Sequence, residues 1–126
     1  MEDKPTPTEK PETPPAEEPK RIKLERFMEI DLRVAVVLAA ERVENTDKLM
    51  KLEIDVGDGH RQILAGVAQA YEPQGLVGKR IIVVANLKPA RIRGLESQGM
   101  LLAADLGGRP IVATFEEEVP AGTRVR

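Results

Sequence analysis

A chain of 126 residues with 19 basic and 21 acidic side chains and a formal charge of −2 is the size of one domain with a core of its own. Zero cysteines exclude disulfides, thiolate metal sites and cysteine nucleophiles, and suit a cytoplasmic location. No apolar stretch reaches membrane-spanning length, the N-terminus lacks the apolar core of a signal peptide, and a single histidine, His60, excludes a multi-histidine metal site, so no cofactor is implied.

The first twenty residues form a separate regime. Six of the ten prolines lie there (Pro5, Pro7, Pro11, Pro14, Pro15, Pro19), with six acids, three lysines and only Met1 and Ala16 as apolar residues. Such a segment cannot offset its ordering entropy by burial, and residues 1–21 are expected to be a disordered, partly polyproline-like linker. Removing the three lysines and six acids of these twenty residues changes the formal charge from −2 to +1 for the rest of the chain, within which the expected domain is residues 22–126.

Between Lys20 and Ile30 the apolar residues return without clean alternation, which fits a helical turn leading into a strand. Asp31 to Ala40 predicts a long first strand with Leu32, Val34, Val36 and Leu38 toward the core and Arg33 outward. A loop follows over Glu41 to Lys48. Leu49 to Val56 alternates as a second strand, with Leu52, Ile54 and Val56 on one face, and Gly57-Asp58-Gly59 turns it back into a third strand over Arg61 to Ala65. Gly66 to Glu72 suits a short helix stopped by Pro73 and Gly75. A fourth strand is expected over Arg80 to Leu87 and a fifth, buried one over Gly99 to Asp105. A Gly107-Gly108 turn then leads into Ile111 to Thr114, and a last short strand ends near Val125.

Three strands, one helix and two further strands, with extra strands at the C-terminus, is the order of an all-β OB-fold, a five-stranded Greek-key barrel. Such barrels bind ligands on the face of strands two and three and through the loops joining strands one to two and four to five. The second of those loops is cationic. From Pro73 to Leu95 there is no acid, while Lys79, Arg80, Lys88, Arg91 and Arg93 give five cations, a local inversion of charge suited to a phosphate backbone. Only Phe27, Tyr71 and Phe115 are aromatic, so gripping single strands by base stacking is disfavoured.

The words ANLKPARIRGLESQGMLLAA, with DLRVAVVLAAERV before them and TDKLMKLEIDVG between, closely resemble the tRNA-binding domain at the C-terminus of bacterial methionyl-tRNA synthetases, shared by free-standing tRNA-binding proteins and a cytokine-related synthetase cofactor. The resemblance runs from about Phe27 to the end. It implies an OB-fold, usually a homodimer, that binds tRNA by shape and has no catalytic activity, and it makes the acidic linker a tether to a synthetase body. In this chain Val43, Glu44, Asn45 and Thr46 stand where many relatives have His-Pro before the Asp-Lys-Leu word.

Carried over by position, Asn86, Lys88, Arg91, Arg93, Ser97 and Met100 fall in the RNA-facing segment that the resemblance implies. Each has a structural alternative: Asn86 as a strand terminator, Ser97 as a partner for a turn amide, Met100 as core, and the cations as merely solvated. Lys48, Lys51 and Arg33 extend the patch, although Glu53 and Asp55 share that side of the second strand. Enzyme signatures fail: Gly75 to Lys79 lacks phosphate-loop spacing, and Asp55 to Gly59 lacks the distal carboxylate of a calcium loop. The function expected is thus a tRNA-binding appendage of methionyl-tRNA synthetase that raises tRNA affinity and dimerises its host. Alternatives are a dimerisation or protein-interaction module, and a free-standing tRNA-binding or chaperone-like relative.

Overall fold

A computed structural model describes residues 20–126, so the expected linker lies outside the described residues apart from Lys20 and Arg21. The described chain is mostly β. Its central sheet contains the strands β1 (Leu32–Arg42), β2 (Met50–Asp55), β3 (His60–Ala65), β4 (Arg80–Val84), β7 (Met100–Leu101) and β10 (Arg124–Val125). They run in the order β3-β2-β1-β4-β7, with β10 also pairing β1. Two separate hairpins are built from β5 (Ala90–Ile92) with β6 (Leu95–Ser97), and β8 (Ala103–Leu106) with β9 (Arg109–Val112). The sheet curls into the half-barrel of an OB-type fold. Among the described residues no helix is long and apolar enough to cross a membrane.

Cross-strand partners share a face, so the register fixes the core. Ile81 and Val83 on β4 lie opposite Ala35 and Arg33 on β1, and Leu52 and Met50 on β2 lie opposite Ile63 and Ala65 on β3. The apolar side chains among these, with Val37, Ile54, Val56, Val67, Ala68, Leu76 and Val112, form one buried cluster. Burying about ten such side chains supplies the main driving force, at roughly 1.5–3 kcal/mol each before entropy is subtracted.

The expected phase of the first strand is corrected. Leu32 and Val34 are buried, but outside that cluster and on the face of their partners Val84 and Ile82, whereas Ala35 and Val37 point to the main core. Arg33 shares the face of Ala35 and Val37, not the solvent face. The register then skips between Val37 and Ala39, a bulge that leaves Leu38 without a partner, 39% exposed, and brings Ala40 against the core. The run VAVVLAA is apolar at both parities, so alternation alone has no preferred phase there.

Three further expectations shift. A first helix, α1 (Leu24–Phe27), fits the helical turn expected before β1 and buries none of its residues. The helix expected over Gly66 to Glu72, however, is a turn, with Ala70 and Tyr71 N–H groups donating to Val67 O, and the helix α2 spans Pro73–Leu76. Pro73 begins it instead of stopping it, because proline lacks the N–H that a first helical turn leaves unpaired and its φ is already suitable. Strand four ends at Val84, and Gly99 to Asp105 is not one buried strand: it divides between β7 and β8, with Met100, Ala103 and Ala104 exposed.

At the start of the sheet two glycines pack backbone to backbone. A Cβ on Gly57 would lie 2.7 Å from Gly122 Cα, and both residues have positive φ, 98° and 90°. No side chain fits, so this contact, with the pairing of Leu32 to Val125, ties the C-terminal segment across the β2–β3 turn.

Candidate nucleic-acid interface

The cationic stretch expected as a loop is itself a hairpin. Ile92 pairs with Leu95 across a two-residue turn, Arg93-Gly94, whose φ values of 54° and 80° are those of a type I′ turn. The Asn-Gly and Asp-Gly pairs that announce such turns are absent, which is why the sequence does not reveal the hairpin. Its strands β5 and β6 alternate: Leu95 and Ser97 turn toward the body, and Arg91 and Glu96 face each other on the outer side.

The hairpin is mounted on the edge of β3 mainly by side chains. Ser97 Oγ accepts the Leu64 N–H at 3.0 Å and donates to Gly99 O at 3.1 Å. Gln98 donates its N–H to Gln62 O at 2.8 Å and accepts the Gln62 N–H through Oε1 at 3.1 Å. Gln62 Nε2 in turn donates to Glu96 O at 2.9 Å. Where β3 lacks a neighbouring ladder, Ser97 and Gln98 satisfy its backbone donors. Sequence reasoning passes over Gln62 and Gln98, since glutamine in a strand or loop carries no positional signal.

Of the expected contact residues, Lys88, Arg91 and Arg93 are all exposed and all belong to this excursion. Among the described residues, neither Lys88 nor Arg93 has an ion-pair partner, while Arg91 Nη1 donates to Gly94 O at 2.7 Å and is thereby held beside the turn. Ser97 is 5% exposed with both hydrogen-bonding functions engaged within the fold. Asn86 acts as a clasp, its Oδ1 accepting the Asp31 N–H at 2.9 Å and its Nδ2 donating to Glu29 O at 2.7 Å, so the chain entering β1 is fastened to the end of β4. Met100 pairs with Val84 and is 49% exposed.

The outlying cations are not part of the hairpin. Arg33 pairs with Asp31 at 3.1 Å and Asp58 at 3.3 Å, and Arg124 joins Asp31 at 3.4 Å. The hydrogen bond from Arg33 holds the Asp31 carboxyl below its ordinary range, with burial opposing, and the same bond raises Arg33. Lys51 pairs with Glu41 at 3.0 Å, inside a shallow groove lined also by Glu53, His60, Gln62 and Gln98. That groove is charge-balanced, Lys51 and Arg61 offsetting Glu41 and Glu53, with His60 Nδ1 3.6 Å from Glu53. Lys48 lies in the β1–β2 loop, where Thr46 Oγ1 accepts the Lys48 and Leu49 N–H groups and Asn45 takes a positive φ of 66°. Arg80 is tied to Val119 O and Glu118, so the acid-free stretch of sequence is not one patch in space.

A family model described as "Putative tRNA binding domain" matches residues 32–124. The chain is 48% identical over 124 residues to a methionine–tRNA ligase of Deinococcus radiodurans, covering 96% of this chain and 18% of that protein. It is 52% identical over 104 residues to that of Thermotoga maritima, covering 82% of this chain and 16% of the ligase. The chain therefore spans less than a fifth of the length of these relatives. Among solved structures, a MetRS-related protein from Pyrococcus horikoshii superposes with a TM-score of 0.81 at 39% identity, covering 85% of this chain and 99% of the other. A CsaA chaperone from Bacillus anthracis gives 0.79 at 31%, covering 85% and 100%.

Proposed function

Because the chain belongs to the putative tRNA-binding domain family, we propose that it binds tRNA without reading sequence, chiefly through the β5–β6 hairpin, as a module of a methionyl-tRNA synthetase. The observation that carries this reading is the exposure of Arg91 and Arg93 on one hairpin anchored to β3, with Lys88 exposed in the segment that leads into it. Cations on such a mount release counterions from a phosphate backbone and contact it at low entropic cost. Shape recognition of folded RNA needs no stacking platform, in keeping with three aromatic residues in the whole chain. Lys51, on the flank of the groove that reaches Gln98, and Lys48, in the β1–β2 loop, are assigned a secondary role. Asn86 and Ser97 hold the segment in place, and Met100 and Arg33 are peripheral to it.

In this proposal the module adds affinity to a tRNA engaged elsewhere, and residues 1–21 are the tether that sets its local concentration, in the cytoplasm where the synthetase works. The test is tRNA binding across a salt series, comparing the wild-type chain with Lys88→Ala/Arg91→Ala/Arg93→Ala. The slope of log affinity against log salt falls by about two to three in the triple variant, at roughly 0.7–0.9 for each phosphate no longer neutralised. A wild-type chain that fails to bind tRNA at low salt removes the reading.

A second reading, dimerisation of the host, is favoured by the apolar residues that lead into β1. Ile22 and Leu24 are 60% and 73% exposed and α1 buries nothing. Sedimentation of Leu24→Glu/Ile22→Glu tests it: a dimeric wild type and a monomeric variant support it, and an unchanged oligomeric state refutes it.

A further inference from the structure

We propose that Arg93 occupies a conformation unfavourable to its residue type because its charge must stand at the hairpin apex, so that tRNA binding and fold stability are opposed at this one position. The inference rests on the tRNA reading above and deepens it by assigning the apex contact. Among the described residues two non-glycine residues have positive φ, Asn45 at 66° and Arg93 at 54°. Asparagine visits that region readily, whereas a long side chain at the first position of a type I′ turn is disfavoured relative to Asn, Asp or Gly.

Nothing within the described fold compensates Arg93. Its side chain is exposed, and among the described residues its guanidinium has no hydrogen-bond or ion-pair partner. Arg91, two residues earlier, is bonded to Gly94 O and braces the same turn, so the turn does not depend on the Arg93 side chain. Gly94 supplies the second positive φ without strain. A residue in a disfavoured conformation, exposed and unbonded, at the tip of a cationic hairpin is explained by a ligand outside the fold. The chemistry that fits is a phosphate of an RNA backbone.

The experiment compares the full chain with Arg93→Asn, which relieves the turn and removes the charge, and with Arg93→Lys, which keeps both. Urea unfolding and tRNA binding are measured on each. Arg93→Asn raises the urea midpoint by about 0.3–0.8 M, weakens tRNA binding about five- to tenfold near 0.1 M salt, and lowers the salt slope by about one. Arg93→Lys leaves the midpoint unchanged and the affinity within about twofold of wild type, since counterion release depends on the charge and lysine also binds phosphate as a point charge. An Arg93→Asn chain that binds as wild type overturns the inference while leaving the tRNA reading intact. So does one whose midpoint does not rise, or an Arg93→Lys chain that loses as much affinity as Arg93→Asn. A wild-type chain with no salt-dependent binding overturns the tRNA reading and this inference together.

Discussion

Replacing Ser97 by alanine separates a residue that builds the interface from one that touches RNA. The hydroxyl accepts the Leu64 N–H and donates to Gly99 O, and it is 5% exposed, so water does not take its place. Leu64 lies in β3 and is itself 7% exposed. Its orphaned amide costs about 1–3 kcal/mol, and the weakened carbonyl about half that, giving about 1.5–4.5 kcal/mol in all. With an m-value of about 1.5 kcal/mol per molar, the urea midpoint falls by about 1–3 M. Fluorescence is weak in a chain without tryptophan, so far-UV circular dichroism is the appropriate probe. Filter binding at low temperature, where the variant is folded, then gives a salt slope equal to the wild-type slope, because the number of phosphates contacted is unchanged. A variant with wild-type stability and a reduced slope refutes this account and makes the hydroxyl an RNA contact.

Gly122→Ala forces a Cβ to within 3.0 Å of Gly57 Cα at a φ of 90°, and costs about 2 kcal/mol or more through strain and displacement of the C-terminal segment, read as a lower thermal midpoint. Asp31 titrates below its ordinary range in the folded protein because Arg33 hydrogen-bonds the carboxylate. Its contribution is therefore complete above about pH 5 and is lost as pH falls through the lowered folded value. The stability gap between wild type and Asp31→Asn closes over that window in urea titrations, and a gap constant down to the lowest pH refutes the coupling.

The parts of the fold that are legible in the sequence have a single periodicity. Met50 to Val56 alternates with one apolar face, and Gly57-Asp58-Gly59 supplies its turn, so β2 and β3 stand where expected, with Asp55 Oδ1 accepting the Gly57 N–H. The Gly107-Gly108 turn is equally plain. What stays hidden depends on choices that local sequence does not encode. The phase of β1 is decided by a bulge at Leu38 and by partners on β4 that are remote in sequence. The β5–β6 hairpin turns on Arg93-Gly94, a pair with no turn signature, and its anchorage depends on Gln62 and Gln98 meeting across the barrel. At the interface, the cationic cluster is visible as an interval without acids. That interval also takes in Arg80, which the fold commits to Glu118 and Val119.

The pairing of β10 with the first residues of β1 bears on the order of events during synthesis. Leu32 and Arg33 emerge early, yet the strand that completes their edge, Arg124–Val125, is translated last among the described strands. Until then the Gly57 turn lacks its glycine counterpart and one margin of the sheet has unsatisfied amides. Closure of this module is thus a late, non-local step, slow by the entropy of the long loop it spans. A nascent chain stalled before Thr123 would hold a nearly complete sheet with an adhesive edge.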